Sequence, residues 1–146
     1  MVKYEDILKA INASLKTKFP DIPIQSKDIT EGFDRPSFFV DFENIKASDL
    51  MNFYAEKTLS IALYFFPEDR YKNRLNLLAT ATQFEEVFLS QPLVVNENFM
   101  INITEADSEI VDGVLVFRFE VYAIDEYENH NAGENQEIME DLQISI

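Results

Sequence analysis

Four carboxylates crowd one short stretch of the chain: Glu105, Asp107, Glu109 and Asp112. Alternating acids supply the oxygen donors that a calcium ion takes. The spacing does not follow the EF-hand pattern, because Glu105-Ala106-Asp107-Ser108-Glu109 lacks both the glycine and the later bidentate glutamate. The stretch reads as a solvated hairpin, with a metal- or ligand-binding module as a lesser alternative. The one histidine, His130, lies between Asn129 and Asn131. A general base needs an orienting partner and a pocket, and a polar loop supplies neither. Glu85-Glu86 and Asp125-Glu126 read as solvated surface. The chain has no cysteine, so a thiolate zinc site and a cysteine nucleophile are excluded. No phosphate-binding glycine loop, dinucleotide fingerprint, nucleophile elbow or HExxH occurs. The expectation is a non-enzymatic protein with no catalytic residues, no metal and no cofactor.

The elements that would position these groups follow from apolar periodicity. Residues 114–124, VLVFRFEVYAI, form the cleanest alternation. Leu115, Phe117, Phe119, Val121 and Ala123 share one strand face, while Arg118, Glu120 and Tyr122 take the other. Asp112-Gly113 before it is a hairpin signal, because a type I′ turn needs positive φ at both central residues. Residues 4–19 carry Ile7, Leu8, Ile11, Leu15 and Phe19 at helical spacing, and Pro20 ends the helix. Residues 22–26 are a short edge strand, since Pro23 has no amide hydrogen. Residues 37–45 and 54–66 are strands, with 46–53 a loop or hairpin connection between them. Asn73 is a candidate N-cap for a second helix over 74–89, with Leu77, Leu78, Ala81, Phe84 and Phe88 as its stripe. Residues 93–95 and 99–104 are extended. The fold expected is α+β: a mostly antiparallel sheet of about five strands with two helices packed on one face, plus a projecting β-hairpin. Residues 1–125 form one domain, and 126–146 an acidic, partly mobile C-terminal tail.

The formal net charge is −15, from 12 Lys and Arg against 27 Asp and Glu. Such a surface repels phosphate and anionic membranes. Thirteen Phe and six Tyr supply more large apolar volume than one sheet face needs, with Phe39, Tyr64, Phe66 and Tyr122 opposite the main apolar faces. A surplus of this kind marks an interface between subunits. No apolar run reaches membrane-spanning length, and the amphipathic start MVKYEDILKAI does not read as a signal peptide.

Residues 28–42, DITEGFDRPSFFVDF, resemble the EGF-x-RP-x-FFV segment of the small tail terminator family of long-tailed bacteriophages and related prophages. YEDILKAINASLKTKFPDIPI is similar to that family's first helix and first strand, SIALYFFPED to its third strand, and EIVDGVLVFRF to its hairpin. The resemblance covers residues 4–125. It implies a ring, commonly of six copies, that caps the tail tube and joins tail to head. The partners implied are the tail tube protein and head-tail connector proteins, with DNA passing without specific binding and no membrane contact. The implied location is the bacterial host cytoplasm during assembly, then the virion tail. Head completion and tail assembly chaperone roles are the alternatives.

Six residues are candidate interface positions: Phe33, Arg35 and Pro36 in the loop between two strands, and Asp107, Glu109 and Asp112 in the acidic hairpin. A two-residue turn at Asp112-Gly113 pairs Ala106 with Phe119. Continued unbroken, that ladder would turn Phe99, Ile101 and Ile103 away from the core. A bulge or break near residues 106–108 is therefore expected to bring them back.

Overall fold

The computed structural model describes residues 2–25 and 35–126. Helix α1 spans Tyr4–Lys18 and buries Ile7, Ala10, Ile11 and Leu15 along one stripe. Glu5 and Asp6 sit in its first turn and Lys16 and Lys18 in its last, which complements the helix dipole. Strands β1 (Ile24–Gln25), β2 (Ser37–Leu50) and β3 (Tyr54–Phe66) follow, then helix α2 (Arg74–Phe88). The chain continues through β4 (Leu93–Asn96), β5 (Phe99–Ile101), β6 (Ala106–Val111) and β7 (Val114–Glu126). The main sheet has the order β1-β2-β3-β7-β6, and β4 and β5 form a separate pair. Only β1 runs parallel to its neighbour in the main sheet. It is the edge strand expected from Pro23, whose carbonyl accepts the Phe38 amide at 2.9 Å. The architecture is the expected α+β one.

Both helices cover one sheet face. Phe38 of β2, Leu59, Ile61, Leu63 and Phe65 of β3, and Leu115, Phe117, Phe119 and Val121 of β7 join the helices in one buried cluster. Phe84 is fully buried at its centre, with ring centroids 5.7 Å from Phe19, 5.5 Å from Phe38 and 5.4 Å from Phe117. The α2 stripe differs from expectation at one position. Leu78 is exposed, and Thr80 is buried instead, with its hydroxyl donating to the Asn76 carbonyl at 2.8 Å. The helix turns Leu77, Phe84 and Phe88 to the sheet, and Leu78 lies about 100° further round the axis.

Residues 46–53 are the hairpin connection rather than the loop, and most of them are strand. The β2–β3 ladder, offset once at Glu43, runs on to Leu50↔Tyr54, leaving a tight turn at 51–53. The cause is a bulge at Glu43: Phe42 pairs with Ile61 and Asn44 with Ser60. One extra residue reverses facing, so Phe38, Val40 and Phe42 share the helix side with Ile45 and Ala47. Beyond the bulge β2 is almost wholly exposed, so no apolar alternation marks it as a strand.

The Asp112-Gly113 hairpin forms as expected. Asp112 has φ 51° and Gly113 φ 74°, and the register runs from Val111↔Val114 to Ala106↔Phe119. The break lies at residues 102–105, just before the expected position. Ile101 and Ile103 return to the core, and Phe99 packs against it half-buried. The hairpin does not project as a free arm. Strand β6 lies along β7 as the sheet edge, and Asn73 ties the turn down. The Asn73 amide nitrogen contacts the carbonyls of Asp69 (3.0 Å), Arg70 (3.1 Å) and Gly113 (3.2 Å). Asn73 therefore occupies the N-cap position, but its side chain staples two loops rather than capping α2. A Cβ on Gly113 would lie 2.9 Å from the Arg70 carbonyl oxygen, at a φ that side chains rarely adopt. Gly113→Ala is expected to cost about 1–3 kcal/mol, read as a lowered thermal midpoint, whereas Asp112→Gly is expected to be tolerated.

Candidate functional site

The sheet face opposite the helices carries the site. On it Ala62, Phe66 and Val116 are buried although none belongs to the main core cluster. Long side chains lying across the face do the covering. Arg118 of β7 stands opposite Ala62, whose small side chain lets the guanidinium reach across β3. Its Nε donates to Glu43 Oε1 at 3.1 Å and its Nη1 to Glu109 Oε2 at 2.9 Å. One arginine thereby links β2, β7 and β6. The Glu109 hydrogen bond, with Glu43 adding to it, holds the Arg118 pKa above its ordinary value against the lowering effect of burial. Each ion pair is more than a third exposed on at least one side, so each contributes only about 0.2–1 kcal/mol. Their structural role is to keep the two acids oriented over the sheet.

Beside this cluster lies an aromatic groove of about 640 Å³, whose walls include Phe39, Tyr64, Phe66, Val114 and Val116. The Tyr64 ring stacks on Phe66 at 6.3 Å and lies 6.1 Å from Phe39. Arg35 lies over Phe66, one of the groove's aromatic walls. Its guanidinium lies 5.8 Å from the Phe66 ring centroid and donates to the Pro67 carbonyl at 3.1 Å. Burial, and then the neighbouring Arg70 charge, lower the Arg35 pKa from its ordinary value. The Arg35-Pro36 peptide is cis. At the far end of the sheet, Tyr122 donates to Glu56 Oε1 at 2.7 Å, which raises the Tyr122 pKa.

The candidate residues separate into two groups. Asp107 and Glu109 face the open side of β6, with Asp107 opposite Arg118 and Glu109 bound to it. Asp112 sits in the turn and lines the aromatic groove. Arg35 and Pro36 stand at the Phe66 end, while Phe33 lies outside the described residues, as does His130. Among the described residues, no three His, Asp or Glu side chains converge as a metal site. Also among them, no helix is long and apolar enough to cross a membrane. Sequence reading missed the Arg118–Glu43 link, because the partners are 75 residues apart. The surplus aromatics on alternate strand positions were its visible signal.

A second polar constellation corrects the expectation of solvated surface at Asp125, which lies in β7 and is buried by its pairing with Lys57. Lys57 and Asp125 are each only 8% exposed and pair at 3.3 Å. Asp125 Oδ2 also accepts the Val2 amide at 2.7 Å, and Lys57 Nζ donates to the Val2 carbonyl at 3.2 Å. The ammonium lies 5.1 Å from the Tyr4 ring centroid. This knot fastens the start of α1 to β3 and β7.

The fold is α+β, with both helices on one face of the main sheet and a partly apolar face opposite them. A chain in the solved virion of a native gene transfer agent (GTA) particle has a similar fold. Its TM-score is 0.51 at 10% identity, over 82% of this chain and 91% of that one. Among curated proteins none matches. The family model described as phage tail terminator protein matches residues 6–140, and the chain belongs to that family. Its role is therefore in phage tail assembly.

Proposed function

We propose that the protein is a non-enzymatic virion subunit that forms a ring of six copies, caps the tail tube and joins the tail to the head. The observation that carries this reading is family membership over nearly the whole chain. The open sheet face supports it, since buried aromatics without helical cover suit a contact between subunits. The net charge of −15 suits a channel through which DNA slides without adhering. The proposed partners are the tail tube protein and head-tail connector proteins. The six candidate interface residues remain part of this proposal, with Arg35 and Pro36 at the groove and Asp107, Glu109 and Asp112 along the β6 edge.

The test is location. Labelled protein added to tail tubes assembled without it is expected at the head-proximal end, where it makes those tubes competent to join filled heads. Protein needed for tails but missing from finished virions would identify an assembly chaperone instead. Protein bound to heads lacking tails would identify a head-completion role.

A further inference from the structure

Helix α2 carries its charges the wrong way round for its own dipole. A helix favours acids in its first turn and bases in its last. α2 has no acid in its first turn and no base in its last. It opens on Arg74, just after Arg70 and Lys72, and its last turn holds Glu85 and Glu86. Helix α1 of the same chain follows the rule. Lys18 answers Glu86 at 3.3 Å. Among the described residues, Arg70, Lys72, Arg74 and Glu85 form no ion pair.

The outward side of α2 is also apolar. Leu75, Leu78 and Leu89 are 83%, 47% and 37% exposed. With the exposed Thr82 they recur at intervals of three, four and seven residues, which is the spacing of a seam between two helices. Thr82 stands at its middle, with Leu75 seven residues before it and Leu89 seven after. Leu89 keeps a helical backbone at φ −94° and ψ −32°, so the seam continues through it.

Both features fit one occupant. A second α2 laid antiparallel across Thr82 places Leu75 against Leu89 in both directions. It also sets Arg74 of each copy at the C-terminal end of the other, and Glu85 at the other's N-terminal end. Each charge that opposes its own dipole then sits where the facing dipole favours it. A parallel copy would bring arginine to arginine and glutamate to glutamate. An antiparallel helix with ordinary charge placement would bring its bases to Arg74.

We propose that α2 is an isologous contact surface, packing antiparallel on α2 of a second copy about a two-fold axis at Thr82. The contact goes beyond the ring reading and does not rest on it, since α2 covers one face of the sheet and the aromatic groove lies on the other. One helix pair is a small interface, so the association is weak and is read best by trapping it.

The absence of cysteine makes trapping direct. Single cysteines are placed in the full-length chain and treated with a short bis-maleimide. Thr82→Cys is expected to cross-link to itself well above Ser48→Cys, an exposed site on β2 that sets the background. Leu75→Cys alone is expected to stay at background, because its two copies lie about 21 Å apart along the helices at 1.5 Å per residue. Mixed with Leu89→Cys it is expected to cross-link. Glu85→Arg in the Thr82→Cys chain is expected to lower cross-linking several-fold without lowering the melting midpoint, since the new base suits its own helix. Adding Arg74→Glu to that chain is expected to restore it. Thr82→Cys cross-linking no better than Ser48→Cys overturns the proposal. Leu75→Cys cross-linking with itself would mean parallel helices, and overturns it too. Cross-linking indifferent to Glu85→Arg would remove the charge pairing that selects a second copy, with the same consequence.

Discussion

Phe84→Ala is expected to lower the free energy of unfolding by about 3–5 kcal/mol, a large share of the roughly 5–15 kcal/mol that holds a domain folded. The ring is fully buried and touches the end of α1 through Phe19, β2 through Phe38, and β7 through Phe117. Its removal leaves a void at a point where both helices and the sheet meet through aromatic rings. Those neighbours come from three different elements, so collapse around the void would require moving more than one of them. Urea unfolding reads the effect as a lower midpoint at an unchanged slope. Leu75→Ala, on the same helix at an 83% exposed position, is expected to stay within about 0.5 kcal/mol of wild type. Equal effects from the two substitutions would show that α2 does not pack as described.

Asp125→Ala is expected to cost about 3–5 kcal/mol, because it leaves the buried Lys57 ammonium without its counter-charge and the Val2 amide without its acceptor. The paired replacement Lys57→Met with Asp125→Leu is expected to cost much less, since it removes both charges instead of orphaning one. The two can be separated in one series of urea titrations. A double variant less stable than Asp125→Ala would show that the knot contributes net stability, beyond the penalty of breaking it. Hydrogen exchange adds a local readout: Asp125→Ala is expected to speed exchange in the first turn of α1 more than in α2.

What was legible in the sequence was local. Asp112-Gly113 specifies its turn by backbone chemistry, and the register back to Ala106 follows by counting. The helix stripes follow from period, except where Thr80 takes the place a Leu was expected to fill. The distal half of β2 was illegible because both its faces are exposed, so no burial pattern reports its pairing. The extra residue at Glu43 further breaks the alternation that reading depends on. The candidate site was half legible. Its aromatics stood out as apolar residues on the wrong face, and the hairpin acids as a cluster. Their organiser, Arg118, looked like an ordinary outward-facing charge, because Glu43 becomes its neighbour only once β3 lies between them. Lys57 and Asp125 are 68 residues apart and carry no sequence mark of their pairing.

The bulge at Glu43 also makes the reach of the molecule adjustable in fixed steps. Beyond it, β2 is almost wholly exposed and ends in the Met51 turn, while β3 still carries Leu59 into the core and Lys57 into its pairing with Asp125. Deleting two residues from each strand on the turn side of the Ala47↔Lys57 pair would preserve which side every remaining residue faces and draw the tip back by about 6–7 Å. Deleting one from each would invert them all. Length variation in this arm should therefore occur in even increments per strand, so that a subunit could be refitted to neighbours of different spacing while its core stayed as it is.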